Sequence, residues 1–435
     1  MDKQVRGSDS RVRWIVLTIL SCVSFASYLC RMNISIAAKL IMPDLGLSEV
    51  QMGTIFSSFM LGYALFQIPA GMLGDRFGPR IVLTAACTWW GIATALTGLI
   101  PALTSSKMHV VFGMMITLRF LLGVAEAPTY PVATRAIANW FPSSERALSN
   151  SILMAGLALG SSFTPLVISW LMVHLGWRQS FLIVSPIPLI IASIWHWYAT
   201  DRPVQHAAVG YNELGLILGG IAASLPNEML RERWWAPLKN RNMFLLFASY
   251  LCLGYVFYIF VFWLFLYLVE VRKFSMLAGG MFTSLPWIVA AVWTTFGGWL
   301  CDGLSAKLGR NLGRRLVGSL GMGVAGGFLM SGATAQSPYV AVAALCLCVG
   351  FVEFTEGAFW ASAIDVAGSR AGMAGGILNM GSNIGGAIST ALVPILVRSV
   401  GWNHALLSGT AVALVGGTLW LWIRSEQPIE TTSAV

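Results

Sequence analysis

The stretch SFASYLCRMNISIAA, residues 24–38, sets one arginine, Arg31, deep in an otherwise apolar, uncharged segment. The run 14–38 that contains it is long enough to cross a bilayer. A charge well inside such a helix costs roughly 2.5–3.5 kcal/mol, and something must offset that cost. At helical spacing Ser24, Ser27, Tyr28, Arg31 and Ser35 share one face. A polar stripe against an apolar back suits a wet, protein-lined cavity and not lipid.

Composition extends this reading to the whole chain. Hydrophobic residues make up 57% and charged residues 10%, where a soluble domain carries about 25% charged residues. Repeated apolar runs of about 20 residues mark transmembrane helices, and the absence of period-two alternation excludes a closed barrel. The net charge of +9 does not point to nucleic acid, because the positive residues fall between the apolar runs, where membrane topology explains them. Cys22, Cys30, Cys87, Cys252, Cys301, Cys346 and Cys348 lie in apolar runs without metal-ligand spacing. They read as packing residues and not as a disulfide framework. The basic start MDKQVRGSDSRVR precedes an apolar run too long for a signal peptide, so the first helix is expected to stay in the mature chain.

The apolar runs predict spans near 14–38, 49–73, 80–100, 109–139, 147–174 and 178–199, then 242–270, 277–303, 315–334, 338–364, 371–397 and 402–424. The plan is an all-α integral membrane protein with 12 transmembrane helices in two six-helix bundles, 1–200 and 242–435, joined by a polar linker, 201–241. Within the linker, YNELGLILGG reads as a short surface helix. Of the 27 Lys and Arg, nineteen fall on the side holding both termini and the linker, six fall on the other side, and Arg31 and Arg119 lie inside spans. By the positive-inside rule both termini are expected to be cytoplasmic. The halves also repeat. Gly71, Asp75, Gly123 and Glu126 recur 227 residues on as Gly298, Asp302, Gly350 and Glu353. Gly156, Gly160, Gly176 and Trp177 recur 225 residues on as Gly381, Gly385, Gly401 and Trp402. Repeated halves around a central cavity are a transporter architecture, with the substrate site near the midplane.

Residues 71–80, GMLGDRFGPR, put an acid just beyond a helix end, where cations and helix N-termini can bind it. The run resembles the loop signature of the major facilitator superfamily, G-x-L-x-D-R-x-G-x-R, with every marked position filled. Gly71, Asp75, Arg76, Gly78 and Arg80, with Asp302 in the second half, are therefore expected to form a cytoplasmic gate. Three further segments resemble the anion:cation symporter family: YLCRMNISIA, RFLLGVAEAPTYPVATRAIANWFPSSERALSNS, and FWASAIDVAG with GGILNMGSNIGGAIS. That resemblance implies proton-coupled transport of a small organic anion. It also implies that Arg31 holds the anion and Glu126 takes the proton. Sugar-acid importers of the family usually carry Asp immediately before the arginine, whereas this chain has Cys30.

The residues support the same roles by themselves. A guanidinium binds a carboxylate bidentately and stays charged at any accessible pH, so Arg31 suits the anion and not the proton. Glu126 lies in the fourth span, where desolvation disfavours its charge and a nearby cation favours it. It either neutralises a cavity cation until protonation frees that cation for the substrate, or holds a permanent structural pair with Arg31. Arg119 is a second anion contact, Glu126's resting partner, or part of a structural ion pair. Tyr63 and Gln67, four apart, either bond a hydroxylated ligand or satisfy each other's helices. Glu353, Glu356 and Trp360 share a face of the tenth span. Either Glu is a candidate second proton site or a contact for a polar substrate group, and Trp360 matches the family's cavity-lining FW pair. Asn379 and Asn383 are candidate hydroxyl contacts or interhelical glue. Tyr255, Tyr258 and Trp263 of the seventh span read as an aromatic gate or wall, or as aromatic packing alone.

No nucleotide-binding loop, zinc spacing or nucleophile constellation is present in the sequence, which leaves an ion gradient as energy source, no cofactor and no enzymatic reaction. The expectation is a monomeric secondary transporter of the bacterial inner membrane. It imports a sugar acid (hexonate, hexuronate or aldarate) with protons by alternating access. A uniporter or exchanger without proton coupling is the alternative, and a non-transporting sensor, which should carry an appended soluble domain, is a further one.

Overall fold

A computed structural model describes residues 10–103, 108–142, 145–221, 239–367 and 371–425. Its elements run α1 (Val12–Leu45), α2 (Glu49–Leu103), α3 (Met108–Glu126), α4 (Thr129–Trp140), α5 (Arg146–Val184), α6 (Pro186–Tyr198), α7 (Tyr211–Ile221), α8 (Arg241–Phe262), α9 (Leu264–Glu270), α10 (Met276–Leu308), α11 (Arg310–Thr334), α12 (Pro338–Phe354), α13 (Glu356–Ala367), α14 (Ala371–Val400) and α15 (Trp402–Leu419), with 3₁₀ turns at Pro203–Gln205 and Trp420–Trp422. Ten segments among the described residues are long and apolar enough to cross a membrane. Large apolar side chains such as Leu65, Leu159, Ile288 and Trp299 point outward. That pattern suits a lipid solvent, where helices satisfy their own backbone.

The duplication is visible in the backbone. Among the described residues, those with positive φ form three pairs at equivalent places: Gly46 (66°) with Lys273 (62°), Gly78 (82°) with Gly309 (85°), and Gly176 (81°) with Gly401 (86°). Gly78 and Gly176 are the points where α2 and α5 leave helical geometry and turn back. The repeated glycines also do the same work twice. Gly156 and Gly160 of α5 lie against the backbone of Ser21 and Phe25 in α1, and Gly381 and Gly385 of α14 lie against Phe247 and Leu251 in α8. Small residues let membrane helices approach this closely.

Four predicted spans are not continuous: the sixth breaks at Ser185 and the seventh at Trp263, and the fourth and tenth break beside the candidate acids. The fourth breaks between α3 and α4, because Pro128 and Pro131 supply no N–H to the carbonyls one turn back. The tenth breaks at Thr355, whose hydroxyl takes the Val352 carbonyl at 2.7 Å in competition with the helix ladder. These last two breaks fall at equivalent points, just after Glu126 and just after Glu353. Glu126 therefore ends a helix instead of sitting inside one, and Glu353, Glu356 and Trp360 are divided between α12 and α13.

The two halves meet most closely at the end of the molecule opposite the start of α1. There Phe56 stacks on Phe262 at 4.9 Å and packs edge-on to Trp263 at 5.2 Å. Ser57 donates to the Ala387 carbonyl at 3.0 Å, and Lys39 pairs with Glu270 at 2.7 Å. At the other end the first part of the linker joins the N-terminal half. Glu213 of α7 is buried and accepts from the backbone N–H groups of Val12 and Arg13, so it caps α1. Linker residues 222–238 lie outside the described residues.

Candidate functional site

The site is built around Arg31, which α1 carries on the stripe predicted from its spacing. Its guanidinium stands over three aromatic rings, Tyr28 at 4.6 Å, Tyr63 at 4.7 Å and Phe59 at 5.3 Å. Such rings hold a desolvated cation by their negative faces, at about 0.5–2 kcal/mol each. Nη2 lies 3.2 Å from Glu126 Oε1, with side-chain exposures of 2% and 1%. The Ser27 hydroxyl donates to the same carboxylate oxygen. The pair is close but poorly aligned: Arg31 Nε and Nη2 and Glu126 Oε2 have no hydrogen-bond partner, and neither amide atom of buried Gln67 has one.

The second half reaches the same point. Arg31 Nη1 donates to Tyr258 Oη at 3.3 Å and to Tyr28 Oη at 3.4 Å. Tyr258 donates to Asn383 Oδ1 at 2.9 Å, and Asn383 Nδ2 donates to the Asn379 carbonyl at 2.7 Å. Tyr63, under the Arg31 guanidinium, also stands beside Asn379. Thus Arg31, Tyr63, Glu126, Asn379 and Asn383 converge, with Tyr258 as the link between halves. Tyr258 of α8 thus brings the second half into direct contact with Arg31 of α1.

Glu353 and Glu356 form a separate cluster. Glu356 accepts from Tyr250 Oη at 2.9 Å and from Trp360 Nε1 at 2.7 Å, and Glu353 accepts from Thr294 at 3.3 Å. Neither meets a Lys or Arg at ion-pair distance among the described residues. Trp360 is 39% exposed, and its indole is held by Glu356 instead of reaching the Arg31 group. Arg119 is buried behind α1. It donates to the Cys30 carbonyl at 3.3 Å and Asn33 Oδ1 at 3.4 Å, so the group in contact with Glu126 is Arg31 and not Arg119.

Of the expected gate, Gly71 packs against Pro131, Arg76 covers the Phe77 ring at 5.2 Å and Asp302 is exposed. The Asp75 side chain lies outside the described residues. Asp201 caps the limb of α2 that restarts after Gly78, accepting from Arg80 N at 2.8 Å. Arg80 Nε adds a bond to the His196 carbonyl at 2.8 Å. In the second half Asp365 takes Arg314 at 2.7 Å and Arg310 at 3.5 Å.

Sequence reading missed Asp201, Asp365, Phe59, the roles of Tyr28 and Tyr258 at Arg31, and the Lys39–Glu270 pair. The Lys39–Glu270 pair gave no signal in the sequence, because each member reads as an ordinary loop charge.

A family model described as Major Facilitator Superfamily matches residues 20–390, and the chain belongs to that superfamily. It is a multi-pass integral membrane transporter and not an enzyme. It is 32% identical over 418 residues to the probable sulfoacetate transporter of Cupriavidus necator, covering 95% of this chain and 94% of the relative. It is 30% identical to the probable galactarate/D-glucarate transporter of Escherichia coli, covering 92% and 91%. Among solved structures it is similar to an inward-facing, unoccupied bacterial homologue of the human lysosomal transporter Spinster, with a TM-score of 0.77, 17% identity, and 96% and 98% of the two chains covered.

Proposed function

We propose that this transporter imports a small organic anion together with protons by alternating access, and that the anion is a sugar acid such as a hexonate, hexuronate or aldarate. The observation that carries this reading is the Arg31–Glu126 contact: a cation with unused donors, held by a carboxylate with an unused oxygen, at the junction of the two halves. Protonation of Glu126 releases Arg31, whose fork then takes the substrate carboxylate. Tyr63, Gln67, Tyr258, Asn379 and Asn383 offer hydroxyl and amide groups to a polyol chain. Glu353 and Glu356 are the second candidates for proton coupling. The proton gradient supplies the energy without a cofactor.

Counting the limbs on either side of Gly78 and Gly176 separately gives twelve spans, in bundles 1–200 and 242–435 around linker 201–241. The Lys and Arg asymmetry supports cytoplasmic termini in a bacterial inner membrane. In that orientation the end joined by Lys39–Glu270 faces outward, and the conformation is inward-facing. A short sulfonated acid is the second reading, favoured by the identity to the probable sulfoacetate transporter.

Arg31→Ala tests the site. Thermal shifts of purified protein with a panel of aldarates, hexonates, hexuronates and sulfoacetate should show stabilisation by one class and none by any in the variant. A variant with wild-type anion affinity removes Arg31 from the site.

A further inference from the structure

The linker helix α7 inverts the pattern of a helix in water. Its one charged residue, Glu213, is turned inward and only 3% exposed, where it accepts from the backbone N–H groups of Val12 and Arg13 and from the Ser10 hydroxyl. Ile217, one turn on, is fully buried, and Leu214 packs against the cluster that contains Val12, Val16, Trp195 and Ala199. The opposite face carries no charge. Tyr211 is 81% exposed, Leu216 and Leu218 are exposed as well, and only Asn212 and Gly215 lie between them. A helix that is apolar all round belongs in a protein interior or a membrane, yet among the described residues α7 is packed on one face only.

We propose that Tyr211, Leu216 and Leu218 of α7 are immersed in the lipid interface on the side of the membrane where α1 begins. The outward surface of α6 leads to this face. Ile190, Ile194 and Trp197 stand at i, i+4 and i+7 and are all exposed, Trp197 at 85%. The stripe thus leaves the hydrocarbon through an indole, a side chain enriched where the bilayer core ends. Tyr198, next in the chain, packs in the same cluster as Leu214, which sets α7 near the level of that indole. Arg11 and Arg202, both exposed, flank the arrangement at the starts of α1 and of the first 3₁₀ turn, with charge that suits anionic headgroups. Lipid and not a soluble protein is the occupant, because the face continues a surface that lipid already covers in a multi-pass membrane protein. Such interfacial helices are held by the apolar area they bury. Through Glu213 the immersed helix also grips the start of α1, so the helix that carries Arg31 is tied to the bilayer surface at one end.

The test is spin-label accessibility in the full-length protein, reconstituted in vesicles of phosphatidylethanolamine and phosphatidylglycerol. Among the described residues Cys22 is the exposed cysteine, so single labels are placed in a Cys22→Ser background at Tyr211→Cys, Leu218→Cys, Gln205→Cys and Ala208→Cys, all exposed positions. Oxygen concentrates in lipid and a neutral nickel chelate in water, and the logarithm of their accessibility ratio reports immersion. It should be positive at 211 and 218 and negative at 205 and 208, in the turn that precedes α7. Negative values at 211 and 218 put the face in water and overturn the proposal. So does shielding of 211 and 218 from both reagents, which puts a protein on the face; dipolar broadening between labels would then identify that protein as a second copy of the chain. Equal ratios at all four positions overturn it too, because the outer face of α7 would not differ from the turn before it.

Discussion

Glu126→Gln isolates the carboxylate charge while preserving the side-chain shape. In the structure that charge lies 3.2 Å from the Arg31 guanidinium, which at an effective dielectric constant of 20 is a gross attraction of about 5 kcal/mol. Poor alignment and the cost of burial reduce the net value, and hydrogen bonds to charged groups are worth about 1.5–3 kcal/mol. An incoming anion must displace this interaction from Arg31 in the wild type and need not do so in the variant. The anion should therefore bind Glu126→Gln about 10- to 100-fold more tightly near neutral pH, at 1.4 kcal/mol per decade. The sign with pH follows: acid protonates Glu126 and frees Arg31, so wild-type affinity rises as pH falls while the variant's stays flat. Calorimetric titration of the anion between pH 5 and 8 measures both. In liposomes the variant should exchange substrate but fail to accumulate it under a pH gradient. Equal affinities with the same pH dependence in both proteins would refute the displacement argument, and retained acid-driven uptake would move coupling to Glu353 or Glu356.

Tyr258→Phe removes the hydroxyl that joins Arg31 to Asn383 and should weaken anion binding about three- to tenfold, by about 0.5–1.5 kcal/mol, and lower the melting temperature, because buried Asn383 Oδ1 loses its donor; a variant with wild-type anion affinity would take the link out of the site. Gly78→Ala should destabilise the protein by about 1–3 kcal/mol, because Gly78 has φ 82° and the Asp201 carboxylate occupies the place of a Cβ; a melting curve that does not move counts against the cap. Lys39→Ala breaks a partly exposed pair worth about 0–1 kcal/mol, and should shift the balance by up to fivefold toward conformations open at that end. Distances between spin labels on α1 and α9 report that shift, and an unchanged distribution would show that the aromatic contacts alone hold the end closed.

The helices and their duplication were legible because lipid imposes long apolar runs and because glycines at close contacts recur at fixed intervals. Arg31 and Glu126 were legible for a related reason: a charge inside such a run needs a purpose. Rotation about the helix axis was not legible. Nothing in the spacing of Arg119 and Glu126 says that the first turns behind α1 while the second meets Arg31. The interruptions after Glu126 and at Thr355 were missed because proline and threonine are both common within membrane helices, and only the packed structure shows where a ladder gives way. The caps Asp201 and Glu213 were read as loop charge, since each partner lies more than a hundred residues away in sequence.

The Arg31 group carries its charge on one side only: the first half brings the guanidinium and Glu126, and the second answers with the uncharged Tyr258, Asn379 and Asn383. If the proposed site is the binding site, the pocket thereby has a head and a tail. A molecule charged at one end can lie in it one way round only, with its anionic terminus against the first repeat and its uncharged length along the second. Its substituents are then met in a fixed order, which gives the phenol and amides of the second repeat a means of telling apart compounds that share the same acid group.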